Sequence, residues 1–442
     1  MEEEVAPVHR PMTAGLRRRP GRGTIGRVRR RTLPRRATVA AFLAVLGPGV
    51  ITGFAGNEAG GVTTYTSVGA EFGYALLWLL LIASAGLAIV QEMCVRMGVT
   101  TGQGLSDLIR ERFGVRWTMV AMLTLLVANG SNVVAEYAGI AASLELLGIP
   151  RIVSVPTAGV LIWSLVVFFS YRIVERALFI LVLVFVAYPI SAVILHPKWS
   201  AVLGGFVPSV PQGNLALVFA LALVGTTITP YLLFYIQASV VDKGVDRDNF
   251  RYAKMDVYLG AAVAAIFAFF IIVVAGTVLF PAGIHVDSAD RAAQALVPLA
   301  GVSAGLLFGM GLCGASLLGA VVMPLSTSYA ICEAFGWESG ISKNFREAPV
   351  FMSLFTLLLV AGGLIVLIPG ISLVPLIIAA QIANGLLLPV MLVFIMKLAN
   401  DRTIMGADVN GRTGRILGWA VAGGAGALSV AYIAVSLAGV GG

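Results

Sequence analysis

Glu58 stands in the run Gly56-Asn57-Glu58-Ala59-Gly60-Gly61-Val62-Thr63-Thr64-Tyr65, a carboxylate beside an amide in an otherwise apolar stretch. A carboxylate at membrane depth costs at least about 2.5 kcal/mol, so its default reading is contact with an ion or a proton. The glycines around it make poor helix and leave backbone carbonyls unpaired. A second run, Gly225-Thr226-Thr227-Ile228-Thr229-Pro230, ends in a proline that removes a backbone donor and crowds the preceding turn. Carboxylate, amide and carbonyl oxygens are the donors that hard cations take. Glu58, with Asn57 beside it, is therefore a candidate cation ligand, directly or through water.

Glu136 is the other acid deep inside an apolar run, in Asn132-Val133-Val134-Ala135-Glu136-Tyr137. It reads either as part of an ion path, together with Asn132, or as a protonated glutamate bonded to a neighbouring helix. Gln381 and Asn384, at i and i+3, share a helix face and serve equally well as a polar lining or as an interhelical hydrogen bond. Other chemistry is poorly supplied. The three cysteines, Cys94, Cys313 and Cys332, show no paired spacing, and His9, His196 and His285 lie in the amino-terminal tail or in connections. Gly301-Val302-Ser303-Ala304-Gly305 matches a hydrolase elbow in spacing alone, without a strand before it. No enzyme and no resident cofactor is expected.

The elements that must hold these residues are membrane spans. The 442 residues are 58% hydrophobic and 12% charged, with a mean hydropathy of +0.94, against roughly 25% charge in soluble domains. Apolar runs long enough to cross a hydrocarbon core predict eleven spans: 40–65, 74–95, 117–147, 153–171, 177–195, 214–241, 257–280, 302–330, 350–367, 373–396 and 416–437. With the amino terminus inside, all of the 30 lysines and arginines except Arg151, Lys198 and Arg291 fall on the cytoplasmic side. That is the positive-inside pattern of a multi-pass plasma-membrane protein with its carboxyl terminus outside. Residues 1–38, rich in Arg, Pro and Gly, are expected to be a disordered basic tail against anionic lipid. Nothing aromatic or structured accompanies the charge to suggest nucleic-acid binding.

Spans one and six are the broken ones, and they stand five spans apart. That spacing predicts a transporter domain over 39–442 built from two inverted repeats, 40–195 and 214–396, with an extra helix at 416–437 and the site between the two breaks. Gly47, Gly49, Gly60 and Pro230 are the expected hinge positions.

The residues Gly47-Pro48-Gly49 through Gly60-Gly61, then Gly69, Phe72-Gly73-Tyr74-Ala75-Leu76-Leu77-Trp78, Thr101-Gly102, Glu111-Arg112-Phe113-Gly114 and Leu223-Val224-Gly225 through Pro230, resemble the Nramp family of divalent-metal transporters. The resemblance covers about 40–440 and implies an all-α LeuT-type fold of five plus five helices and an eleventh. It also implies a ligand set. The family's Asp-Pro-Gly-Asn run is matched by Glu58-Ala59-Gly60-Gly61, so a carboxylate is kept and an amide is lost at Gly61. The Ala and Met ligand positions of the sixth helix are matched by Thr226 and Thr229, and the histidine after the proline by Tyr231.

Losing the thioether favours a hard cation, Mg²⁺ ahead of Mn²⁺. In this respect, and more weakly in Phe234 to Val241, the chain looks like the Nramp-related magnesium branch. Val133 stands at the third-helix aspartate associated with proton coupling and Tyr231 at the histidine, which together imply an uncoupled carrier. Both the family and this branch have aspartate where Glu58 stands. A carrier of Mn²⁺ or another cation, including an organic amine, and a non-transporting sensor therefore stay open, and the oligomeric state is not legible.

Overall fold

The computed structural model describes residues 57–168, 186–209, 211, 213–340 and 345–439. The basic tail, Gly47, Gly49, the first part of span one and the first half of span five lie outside them. The described chain is all-helical, and its principal helices are α1 (Ala59–Phe72), α2 (Leu77–Thr101), α3 (Leu105–Glu145), α4 (Arg151–Phe168), α5 (Ala187–Leu195), α6 (Asn214–Thr227), α7 (Pro230–Asp242), α8 (Phe250–Val278), α9 (Ala304–Phe335), α10 (Pro349–Val366), α11 (Leu373–Ala399) and α12 (Arg412–Leu437).

Among the described residues nine helical stretches are long and apolar enough to cross a membrane. They coincide with the expected spans two to four and six to eleven. α3 carries a glycine with left-handed backbone at Gly114 (φ 74°, ψ 175°), which separates the segment before it from the span that sequence places at 117–147. A non-glycine residue would be strained there.

The helices sort by burial. Nearly every residue of α1 is buried, whereas α12 buries only Gly418, Ala422, Ala425 and Ser429. Large apolar side chains on the outer faces, such as Leu81, Val160, Leu357 and Val430, stay exposed, as lipid-facing surfaces require. Small residues let the central helices touch backbone to backbone. A methyl on Gly225 of α6 would meet the Gln381 carbonyl and the Gly385 backbone of α11, and one on Gly69 of α1 would meet the backbone of α8.

α6 and α7 are one span in two pieces. α6 ends at Thr227; Ile228 (φ −114°, ψ 77°) and Thr229 (φ −84°, ψ 135°) are non-helical, and Pro230 opens α7 at its first position. Pro230 suits that place, because the missing N–H is one a helix start leaves unpaired anyway. Thr229 occupies the cap position without capping α7 through its side chain.

Candidate functional site at the two helix breaks

Glu58 is the residue that starts α1. Its backbone is extended (φ −67°, ψ −176°), and its carbonyl accepts from Val62 N at 3.0 Å, so the helix begins at Ala59. The side chain is 2% exposed, and Asn57 beside it is equally buried. Tyr231, one residue into α7, donates its hydroxyl to Glu58 Oε2 at 2.7 Å, which brings the start of α1 against the start of α7.

At Glu58 the half-helix presents its amide start, where partial positive charge favours a carboxylate. The carbonyl end belongs to α6. The start of α1 thus offers partial positive charge, and the end of α6 offers carbonyl oxygens.

Glu136 reaches the same helix start from α3, its Oε2 accepting from Ala59 N at 3.4 Å. α9 leaves room for it with Gly319, where a methyl would strike the carboxyl group. The two deepest acids of the sequence thus meet at the first turn of α1. Gly60 and Gly61, also in that turn, are buried, and a methyl at Gly60 would collide with the Gln381 amide. Gln381 therefore sits between Gly60 of α1 and Gly225 of α6.

Asn132, Gln381 and Asn384 form one cluster. Asn132 Oδ1 accepts from Asn384 Nδ2 at 2.6 Å and from Gln381 Nε2 at 3.1 Å, and Asn384 Nδ2 also donates to Gln381 Oε1 at 3.1 Å. The interhelical bond and the polar lining, weighed as alternatives from sequence, are here the same residues.

Several buried oxygens at the site have no hydrogen-bond partner: Glu58 Oε1, Glu136 Oε1, and the hydroxyls of Thr226 and Thr229. Native interiors pair nearly all such atoms, so unpaired oxygens on the elements that meet here are candidates for a ligand. Thr227 is different, since its hydroxyl donates to the Leu223 carbonyl and also bonds to Tyr65. Of the expected hinge residues, Gly60 and Pro230 flank the site. Among the described residues no group of three or more His, Cys, Asp or Glu side chains forms a metal cage. Two acids, Glu58 and Glu136, with hydroxyl, amide and carbonyl oxygens, are the donor set present among the described residues.

Residues 49–435 match the family described as natural resistance-associated macrophage protein-like, Nramp. The chain belongs to the Nramp family. It is accordingly a membrane transporter and not an enzyme. It is 28% identical over 406 residues to a protein of Deinococcus radiodurans named divalent metal cation transporter MntH, spanning 87% of this chain and 88% of that one. In fold it is similar to the manganese transporter of Eremococcus coleocola, with a TM-score of 0.76 at 22% identity, covering 90% of this chain and 88% of the other. It is similar too to MhsT in complex with L-phenylalanine, with a TM-score of 0.56 at 17% identity over 87% and 97% of the two chains. The Nramp chain thus has the LeuT-type fold that its broken spans imply.

Sequence reasoning singled out Tyr231 only through the family's histidine position and did not find its bond to Glu58. It also missed Asn129 and Thr327, a buried pair joining α3 to α9. The spacing of Asn129, Asn132 and Glu136 along one face of α3 was the available signal.

Proposed function

We propose that this Nramp protein carries a hard divalent cation, Mg²⁺ ahead of Mn²⁺, across the plasma membrane by alternating access and without proton coupling. Transport of a divalent metal cation accords with the names of its relatives. The observation that carries the finer reading is Glu58, buried between the two breaks with one oxygen unpaired, near unpaired threonine hydroxyls where the family resemblance would put a thioether. Oxygen donors in a sparse set suit an ion that keeps several of its waters, as Mg²⁺ does in its octahedron at about 2.0–2.1 Å.

In this reading Glu58 attracts the ion, and Asn57, Thr226 and Thr229, with carbonyls at the breaks and the backbone of Gly61, hold it or its waters. Glu136, Asn132, Gln381, Asn384 and Tyr231 line the way in and out. Gly47, Gly49, Gly60 and Pro230 let the half-helices swing. At the position of the family's imidazole α7 carries a phenol, a group whose ordinary pKa of about 10 makes it a poor proton carrier near neutrality. A −100 mV interior favours entry of a divalent cation by about 2 × 2.3 kcal/mol without another driving ion.

The basic tail over 1–38 and the basic connections support a cytoplasmic amino terminus and an outside carboxyl terminus. Residues 39–442 form the transporter domain, with repeats at 40–195 and 214–396 and the extra helix at 416–437. Membrane lipid and the cation are its partners.

The test is flux into pH-clamped proteoliposomes of Mg²⁺, Mn²⁺ and Ca²⁺. Saturable Mg²⁺ uptake without lumenal acidification supports the reading, and Mg²⁺-driven acidification would overturn its uncoupled form. Glu58, one methylene longer than the family aspartate, favours a second reading as a Mn²⁺ carrier; competition between the two ions separates them.

A further inference from the structure

Beyond the central site, α3 carries a line of buried polar atoms toward the end of the bundle that bears Arg96, Arg110 and Arg112. Glu136, Asn132 and Asn129 are spaced to share a helix face over about 10 Å. All three are fully buried. Asn129 Nδ2 donates to Thr327 Oγ1 of α9 at 2.8 Å, and that hydroxyl donates to the Met323 carbonyl at 2.8 Å. Asn129 Oδ1, Asn132 Nδ2 and Asn384 Oδ1 have no partner.

α9 runs alongside in the opposite sense. Its Gly319 faces Glu136, its Thr327 faces Asn129, and its Glu333 places a carboxyl group against Gly104 at the start of α3. Between the first two levels Pro324 lacks the N–H that would bond the Ala320 carbonyl, which frees one more acceptor within the helix.

A bond that served packing alone would leave no amide ends over, because unpaired polar atoms in a dry interior are costly. Here three ends are unpaired in two consecutive levels. Neutral amide and hydroxyl groups hold the waters of a hydrated ion and lack the charge that would trap it.

We propose that Asn129 and Thr327, with Asn132 and Asn384, form a second, water-mediated station for the divalent cation, between Glu58 and the arginine-bearing face. This rests on the transport reading above. It adds an exit step along α3 and α9 made of neutral donors and acceptors.

The experiment has two arms. In the first, the double variant Asn129→Leu, Thr327→Val removes both partners together with apolar groups of similar size, a change that a packing pair tolerates. Wild-type affinity at Glu58, measured calorimetrically with Mg²⁺, and a fall of about tenfold in maximal Mg²⁺ flux are expected. Flux within about twofold of wild type would overturn the station. In the second arm, Asn129→Cys is made in a protein with Cys94, Cys313 and Cys332 replaced by alanine and treated with a cationic, water-soluble thiol reagent. Reaction that Mg²⁺ slows is expected; no reaction from either side of the membrane would overturn the proposal. If wild-type protein carried neither Mg²⁺ nor Mn²⁺, the transport reading would fall, and the labelling arm would still decide whether this seam is wet.

Discussion

The Tyr231 hydroxyl donates to Glu58 Oε2 at 2.7 Å, tying the first residue before α1 to the first turn of α7. Neither side chain is exposed by more than 2%. The phenol thus holds one oxygen of the acid and leaves the other unpaired.

Replacing that phenol by an imidazole should introduce pH dependence where none is expected now. An unperturbed phenol titrates near about 10 and an imidazole near about 6.5, and an imidazolium beside Glu58 repels a cation. At a fixed Mg²⁺ gradient, wild-type flux should be flat between pH 6 and 8. Tyr231→His should lose flux at the acid end, by about threefold or more. A wild-type profile as steep as the variant's would contradict the assignment.

Glu58→Gln keeps the shape and removes the charge. Saturable Mg²⁺ flux should vanish while the protein still elutes as one folded species from a sizing column. Retained saturable flux would remove Glu58 from the site.

Thr229→Met supplies a soft donor at the second break. Competition between Mg²⁺ and Mn²⁺ or Cd²⁺ should shift toward the softer ions. Unchanged selectivity would mean that Thr229 does not face the ion.

Gly225→Ala tests how closely the helices must approach. A methyl there meets backbone of α11, which has no rotamer to yield, and overpacking of this kind costs about 1–3 kcal/mol. The unfolding temperature in detergent should drop by several degrees. Gly130→Ala is the control, since its nearest neighbour would be Leu358 Cδ2 at 3.8 Å and no change is expected.

Outside the membrane, Asp401 accepts from the hydroxyl and amide of Thr403 and pairs with Arg112 Nε at 2.5 Å. The Thr403 hydroxyl first, and then its amide and Arg112, hold the Asp401 carboxyl below the usual carboxylate range, against the opposing effect of burial. A group depressed on folding contributes its stability above the unfolded value of about 3.9 and loses it as pH falls through the folded one. Asp401→Asn should therefore melt below wild type at pH 7, with the gap closing as the pH drops under about 4. An equal gap at both pH values would assign the effect to shape.

Much of this arrangement is legible in sequence because membrane helices have few ways to satisfy their backbone. Nine expected spans reappear as helices, and the sixth breaks immediately before Pro230. Glu58 was recognisable because an acid in an apolar run has few structural uses. What sequence could not give was which side chains meet across helices. Tyr231 and Glu58 are 173 residues apart, and Gln381 reaches both breaks only because Gly60 and Gly225 lack side chains. Nor does composition reveal that α1 offers Glu58 its amide end. That depends on where the helix starts, and glycines on both sides of Glu58 leave the start ambiguous.

The meeting of Glu58 and Glu136 at one helix start bears on valence. Two acids there present a pair of negative charges when both are ionised, and a divalent ion cancels both. A sodium or potassium ion cancels one, so the other must keep a proton or remain as bare charge in a dry surrounding. Charge balance at this helix start would then favour an ion of valence two over a monovalent one.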